Sequence, residues 1–232
     1  MGLIEKPPPD EWNLRESAFR SRSDMVDHEA TYRGPDVMKK LAAARVCVCG
    51  AGAVGSNLVD SLARHGVRAI RVIDRDRVEP HNLATQVYTK DAVGAQKVEA
   101  LKEHVFRVTG IEVEAVAKEL TAANAKKLLG DADLVVDGFD NSASRRAVFE
   151  HAPCACLHVG LNTDYGEAIW NERYRVPGDA EGDVCDYPLA RNLVQIVVAV
   201  AMESIVRFVV SGAKEDYSVT LKDLRINREE QP

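Results

Sequence analysis

Val46-Cys47-Val48-Cys49 runs directly into Gly50-Ala51-Gly52-Ala53-Val54-Gly55. A short apolar run closed by turn formers reads as a buried strand. The glycines match G-x-G-x-x-G, and Val54, Leu58 and Leu62 continue at helical spacing to about His65. Strand, glycine turn and helix in that order form the context of a phosphate cradle. Gly50 permits the tight turn, Gly52 lets an anionic group approach the backbone, and Gly55 lets helix and strand pack closely. Free N–H groups at the helix start favour anionic oxygens. Asp74 ends the next strand, about 20 residues on, where a carboxylate accepts from ribose hydroxyls. The competing reading is a glycine-rich turn with no ligand. Loop and acid together do not separate NAD, FAD and ATP.

Outward from this stretch, strands and helices alternate. Ala69 to Asp74, Val113 to Val116, Leu134 to Val136, Ala155 to Val159 and Glu167 to Trp170 read as strands. Gly94 to Phe106, Ala122 to Leu129 and Ala143 to Glu150 read as helices. The fold expected is α/β: a Rossmann-like, mainly parallel sheet with helices on both faces. Ligands then sit at the carboxyl ends of the strands, near the switch point. Arg173 to Pro188 is rich in Gly, Pro and Asp and reads as a long crossover loop. A helix and an edge strand, Tyr217 to Leu224, close the chain. Residues 1–30, with Pro7-Pro8-Pro9, are expected to be an N-terminal arm, and 31–232 the main domain.

Composition narrows the class. The chain has 232 residues, 46% of them apolar, so a sizeable core is available. A formal net charge of -6 argues against a nucleic-acid-binding surface. Five cysteines and no apolar leader predict reduced thiols and a cytoplasmic location. Leu193 to Val210 is the most apolar stretch. Gln195, Glu203 and Arg207 interrupt it, so a buried helix fits better than a membrane span.

Two further segments decide between nucleotides. Asp74-Arg75-Asp76-Arg77-Val78-Glu79-Pro80-His81-Asn82-Leu83-Ala84-Thr85-Gln86 is followed by Gly94-Ala95-Gln96-Lys97. Asp137-Gly138-Phe139-Asp140-Asn141 follows the fourth strand, with Arg145 four residues after Asn141. A dehydrogenase needs none of these. They resemble D-x-D-x-V-x-x-x-N-L-x-R-Q, G-x-x-K and D-x-x-D-N-x-x-x-R of the ThiF/MoeB/HesA family of E1-like adenylyltransferases, over roughly residues 31 to 212. The resemblance implies use of ATP and Mg²⁺ to adenylate the C-terminal glycine carboxylate of a small sulfur-carrier or ubiquitin-like protein ending in Gly-Gly. It also implies a homodimer. Lys97 then offers a point charge to the phosphates. Asp140 holds Mg²⁺ as a hard oxygen ligand. Asn82 bonds a phosphate or orients the carboxylate, and Asp76 and Gln86 complete the motif. Set against these roles, Lys97 reads as a solvated residue at a helix start, Asp140 as a helix cap, and Arg145 as a surface or salt-bridge residue.

Three departures matter. Thr85 stands where the family has Arg, so a phosphate-binding guanidinium is missing. Arg15, Arg20, Arg22 or Arg33 is expected to replace it from this chain or a second subunit, Arg33 first. The family's paired C-x-x-C zinc ligands are absent; Cys154-Ala155-Cys156 is too few for tetrahedral zinc unless His151, His158 and Cys185 join it. No rhodanese or ubiquitin-fold domain is expected in this chain, so any later sulfur transfer or conjugation is expected to need another protein. Cys185, in the long loop expected to cover the carrier tail, is either a nucleophile forming a thioester or acyl-disulfide, or an ordinary thiol whose neighbours Asp183 and Asp186 raise its pKa. Other readings remain: activation of a tRNA-base or peptide carboxylate, an NAD-dependent oxidoreductase, or a non-catalytic scaffold subunit.

Overall fold

The computed structural model describes residues 25–178 and 189–229. Eight strands form one sheet in the order β3-β2-β1-β4-β5-β6-β7-β8. They are β1 Arg45–Cys49, β2 Ala69–Ile73, β3 Glu114–Val116, β4 Leu134–Asp137, β5 Ala155–Asn162, β6 Tyr165–Trp170, β7 Tyr217–Thr220 and β8 Arg225–Arg228. The first five are parallel, and the last three join them antiparallel. From β1 the chain moves outward to β2 and β3, then returns to β1's other side as β4. The switch point therefore lies between β1 and β4, at the carboxyl end of the glycine-terminated strand.

Seven helices cover the described residues: α1 Asp27–Arg33, α2 Pro35–Ala43, α3 Ala53–Arg64, α4 Lys97–Thr109, α5 Ala122–Leu129, α6 Ser142–His151 and α7 Arg191–Ser211. The two-residue period of β1 sorts them into layers. Val46 and Val48 join a core with Leu58 and Leu62 of α3, Leu101 of α4 and Val197 and Ile205 of α7. Cys47 and Cys49 face the opposite layer, with Ala125 and Leu129 of α5 and Val148 of α6. Both faces of β1 are buried, which is why its sequence shows no polar alternation. Cys47, Cys49 and Cys156 are buried small hydrophobes in that second layer.

Helix α7 is long and apolar enough to cross a membrane by length and composition, with a mean hydropathy of 2.1 over its window. In this fold it packs along α3, β6 and β7, and nine of its residues are buried. Its Glu203 pairs with Arg33 of α1 at 2.9 Å.

Two expectations change. Helix α1 already begins at Asp27, crossing the arm-to-domain boundary expected at residue 30, and Gly34 at φ +86° turns the chain into α2. The strand expected over Tyr217 to Leu224 stops at Thr220. Residues 221–224 form a turn, with Leu224 at φ +53°, and β8 becomes the sheet edge. All four residues of β8 are exposed, so no burial alternation marked it as a strand.

Candidate active site

The end of β1 builds the glycine loop. Gly50 takes φ +94°, and its N–H donates to the Ile73 carbonyl at 2.8 Å. A side chain at Gly50 would place Cβ 3.0 Å from the carbonyl oxygen of Gly138, so the turn after β4 lies directly against this loop. At Gly55 a Cβ would fall 1.9 Å from the Gly50 carbonyl oxygen, an impossible contact. Gly52 differs: no protein atom lies within 4 Å of where its Cβ would be. That open volume sits at the start of α3, which has no side-chain cap. Unspent N–H groups, a positive helix end and free space fit a phosphate.

Asp74 is buried and accepts from Ala51 N at 2.6 Å and Asp76 N at 2.7 Å. Burial pushes its carboxyl above the usual range, against the pull of those two donors and of Lys97. Oδ2 thus braces the glycine loop from below, and Oδ1 holds the 74–76 turn. Beside it, Lys97 Nζ stands 3.3 Å from the Asp76 carboxylate, with 12% of the lysine side chain exposed. Lys97 is therefore not a solvated surface residue. Asn82 is buried in a short 3₁₀ turn, Pro80–Ala84, where its Oδ1 accepts from Glu79 N at 2.9 Å. Gln86 is also buried, and its Oε1 has no partner among the described residues. A buried oxygen left so costs about 1–3 kcal/mol, which a ligand donor would recover.

Sequence reasoning passed over Tyr88. Its hydroxyl donates to the Ala51 carbonyl at 2.7 Å, and burial holds the phenol well above its ordinary pKa. Nothing local in Val87-Tyr88-Thr89 marks this role, because the partner is remote in sequence.

The turn after β4 supplies the rest. Asn141 caps α6 by accepting from Ser144 N at 2.8 Å, so the cap considered for Asp140 belongs to its neighbour. Asp140 stands exposed in a turn whose Gly138 touches the glycine loop. Arg145 is not a surface residue: it is buried, donates to Tyr174 Oη at 2.9 Å and to the Val159 carbonyl at 3.1 Å, and lies 3.6 Å from Asp137. Asp137 is fully buried and bound to His158 Nδ1 at 2.8 Å, while His158 Nε2 meets Asn171 at 2.9 Å. Tyr174 stacks on His158 with centroids 3.6 Å apart. This network ties β4, β5, α6 and the start of the 171–178 segment into one polar core.

Arg33 is not brought to the loop of its own chain. Its guanidinium is held by Glu29 at 2.5 Å and Glu203 at 2.9 Å. Glu29 also approaches His65, the residue that ends α3, one helix length or about 18 Å from the glycines. Cys185, Arg15, Arg20 and Arg22 lie outside the described residues. His158, weighed as a zinc ligand, has both ring nitrogens engaged by Asp137 and Asn171.

A switch-point glycine loop braced by an acid, with a lysine and a carboxylate-bearing turn beside it, defines a nucleotide-binding protein of the Rossmann-like α/β class. The chain belongs to the ThiF family, whose profile matches residues 27–162. It is 36% identical over 140 residues to the sulfur carrier protein ThiS adenylyltransferase of Bacillus subtilis, covering 59% of this chain and 40% of that protein. It is 33% identical over 162 residues to the SAMP-activating enzyme E1 of Haloferax volcanii, covering 69% of this chain and 57% of that protein. A tRNA threonylcarbamoyladenosine dehydratase 2 of Saccharomyces cerevisiae is 32% identical over 152 residues, or 63% of this chain and 34% of that protein. The chain thus spans between about a third and three fifths of the lengths of these relatives. Among solved structures, Escherichia coli MccB with MccA-N7isoASN superposes with a TM-score of 0.77 over 98% of this chain and 80% of its own, at 18% identity. That likeness concerns the fold.

Proposed function

We propose that this protein uses ATP to adenylate the C-terminal glycine carboxylate of a small sulfur-carrier or ubiquitin-like protein that ends in Gly-Gly. The observation that carries this reading is the contact of Gly50 with Gly138, which sets the Asp140 turn against the glycine loop, where Gly52 faces open space. One carboxylate oxygen forms a bond to the α-phosphorus. The bond from that phosphorus to its β-bridging oxygen breaks, and pyrophosphate leaves with the electron pair. No redox change occurs.

Each side chain has a defined task. Backbone N–H groups at Gly52 and the start of α3 hold phosphate oxygens. Asp76 carries the paired Lys97 charge beside them, and Asp74 keeps the loop in shape and faces the ribose side. Asn82 and Gln86 offer amides from the 80–86 turn. Asp140 is the carboxylate that would hold Mg²⁺ as a hard oxygen ligand, and the ion would lower the repulsion between the triphosphate and the incoming carboxylate. Arg33 is left for a second subunit of a homodimer, because its own chain keeps it remote. In this reading the Cys185 thiolate then attacks the acyl carbon, forming a thioester as the bond to AMP breaks and AMP leaves with the electron pair; an acyl-disulfide there requires that sulfur to carry a persulfide from a separate sulfane-sulfur donor. The setting is cytoplasmic, consistent with five cysteines and buried, inert core thiols.

A second reading keeps ATP and changes the carboxylate to that of a tRNA base or peptide. The yeast relative named as a tRNA dehydratase favours it. The test is ATP–pyrophosphate exchange with Mg²⁺ and a panel of Gly-Gly-tailed carriers. Carrier-dependent exchange that disappears in Asp140→Ala supports the main reading. Exchange with a tRNA or peptide, and with no carrier, transfers the assignment to the second.

A further inference from the structure

Helices α3 and α7 run side by side and parallel. Near their starts, Gln195 Nε2 of α7 donates to Asn57 Oδ1 of α3 at 3.0 Å, and farther along, α7's Glu203 and α3's terminal His65 meet through Glu29 and Arg33. Two positive helix ends therefore lie at the same end of the fold. The first residue of α7 is Arg191, with no acidic residue in that helix's first turn. A cation there opposes the helix dipole and costs about 0.3–1 kcal/mol.

The placement of Arg191 is specific. Its Nη1 donates to the Ala84 carbonyl at 2.8 Å. Ala84 precedes Thr85, the position where the arginine of the motif is missing. The Thr85 carbonyl accepts from Asn57 Nδ2 at 2.8 Å, and the same amide donates to Ala53, the first residue of α3, at 2.7 Å. Three hydrogen bonds, Arg191–Ala84, Asn57–Thr85 and Asn57–Ala53, thus connect Arg191 to the start of α3. It lines an open cleft of about 610 Å³ with Asn57, Asp60, Arg64 and Gln86; the glycine loop itself is not part of that lining, and the link to it is the 84–86 turn, whose Gln86 is 91% buried with Oε1 unpartnered among the described residues. On the loop side, Lys97 and Arg75 pair with Asp76, and Arg145 is held by Tyr174 and Asp137. The adenylation reading adds Mg²⁺ at Asp140 and Arg33 from a second subunit; what it leaves unfilled is the cation of the Thr85 position on this chain.

We propose that Arg191 is that cation, supplied from the start of α7 to bind the β- or γ-phosphate of ATP in place of the arginine absent at Thr85. This rests on the adenylation reading and assigns the pyrophosphate end of its substrate. One guanidinium N–H holds Ala84, and the remaining donors of the planar fork are left for phosphate oxygens.

The test compares nucleotide dissociation constants with Mg²⁺ by calorimetry. In Arg191→Ala the Kd for ATP should rise about 10-fold or more, as expected for loss of a charge-assisted contact. The Kd for AMP, which lacks those phosphates, should stay within about twofold. That invariance also reports an intact fold. Thr85→Arg added to Arg191→Ala should recover most of the ATP affinity. Equal weakening for ATP and AMP, or unchanged ATP affinity, overturns the assignment. Failure of the wild-type protein to bind ATP at all overturns the adenylation reading itself, and is distinguished by needing no variant.

Discussion

The Tyr88 hydroxyl and the Ala51 carbonyl, 37 residues apart, are joined by a 2.7 Å hydrogen bond inside the core. With the Asp74 carboxylate on Ala51 N, both polar groups of one peptide residue in the glycine loop are fixed from below. The loop is preorganised before any ligand arrives, so binding need not order it. Tyr88→Phe leaves that carbonyl buried and unpaired. Urea unfolding should show a loss of about 1–2 kcal/mol, and the KM for ATP should rise several-fold. Unchanged stability would mean the carbonyl finds water.

Gly52 and Gly55 separate ligand space from packing space. Gly55→Ala meets the Gly50 carbonyl at 1.9 Å and should fail to yield folded protein. Gly52→Ala meets nothing and has φ −79°, so its stability should change by less than about 1 kcal/mol while ATP affinity falls at least 10-fold. Thermal melts and calorimetry on the pair decide the point.

Asn141 and Asp140 are adjacent with opposite expected behaviour. Removing the cap in Asn141→Ala should cost about 1 kcal/mol of stability with exchange activity largely kept. Asp140→Ala should keep the melting temperature within a few degrees and lose exchange by more than about 100-fold.

His158 stands between Asp137 and Asn171 with no exposure. His158→Ala removes the 2.8 Å partner of the buried Asp137 carboxylate, leaving it Phe139 N at 3.1 Å and Arg145 at 3.6 Å. Destabilisation of about 3–5 kcal/mol is expected in urea, larger than for any exposed substitution. A loss under 1 kcal/mol would show that Arg145, 3.6 Å from Asp137, suffices as counter-charge.

Asp60 gives the acid limb of stability a definite sign. Burial raises its carboxyl, but hydrogen bonds from His104 and Arg64 outweigh that and hold it below the usual range. Its contribution is complete above the unfolded value of about 3.9 and is lost as pH falls through the lower folded value. Asp60→Asn should therefore lose stability less steeply below about pH 4 than wild type, and about 0.5–1 kcal/mol at neutral pH.

Local pattern carried most of this. The glycine loop, the Asp74 strand and the strand–helix alternation follow from period and turn chemistry, so the sheet and its switch point were legible in the residues. Burial was not. Whether Arg145 was a surface or an inner residue stayed open until Val159 and Tyr174 appeared around it. Asp137–His158 and Tyr88–Ala51 escaped notice because each joins residues far apart in sequence. Residues 1–30 read as an arm because a proline run and dense charge hide helical spacing, and the helices at Asp27–Arg33 and Pro35–Ala43 carry no motif. Arg191 looked like any residue after a loop; its meaning depends on Ala84 lying beneath it.

The back-to-back approach of Gly50 and Gly138 has an evolutionary consequence. Any side chain at Gly50 pushes on the backbone at Gly138, so the nucleotide-holding turn and the carboxylate-bearing turn cannot drift independently. A lineage that altered one would have to reshape the other at the same time. The two turns constrain each other's backbone even though 88 positions separate Gly50 from Gly138.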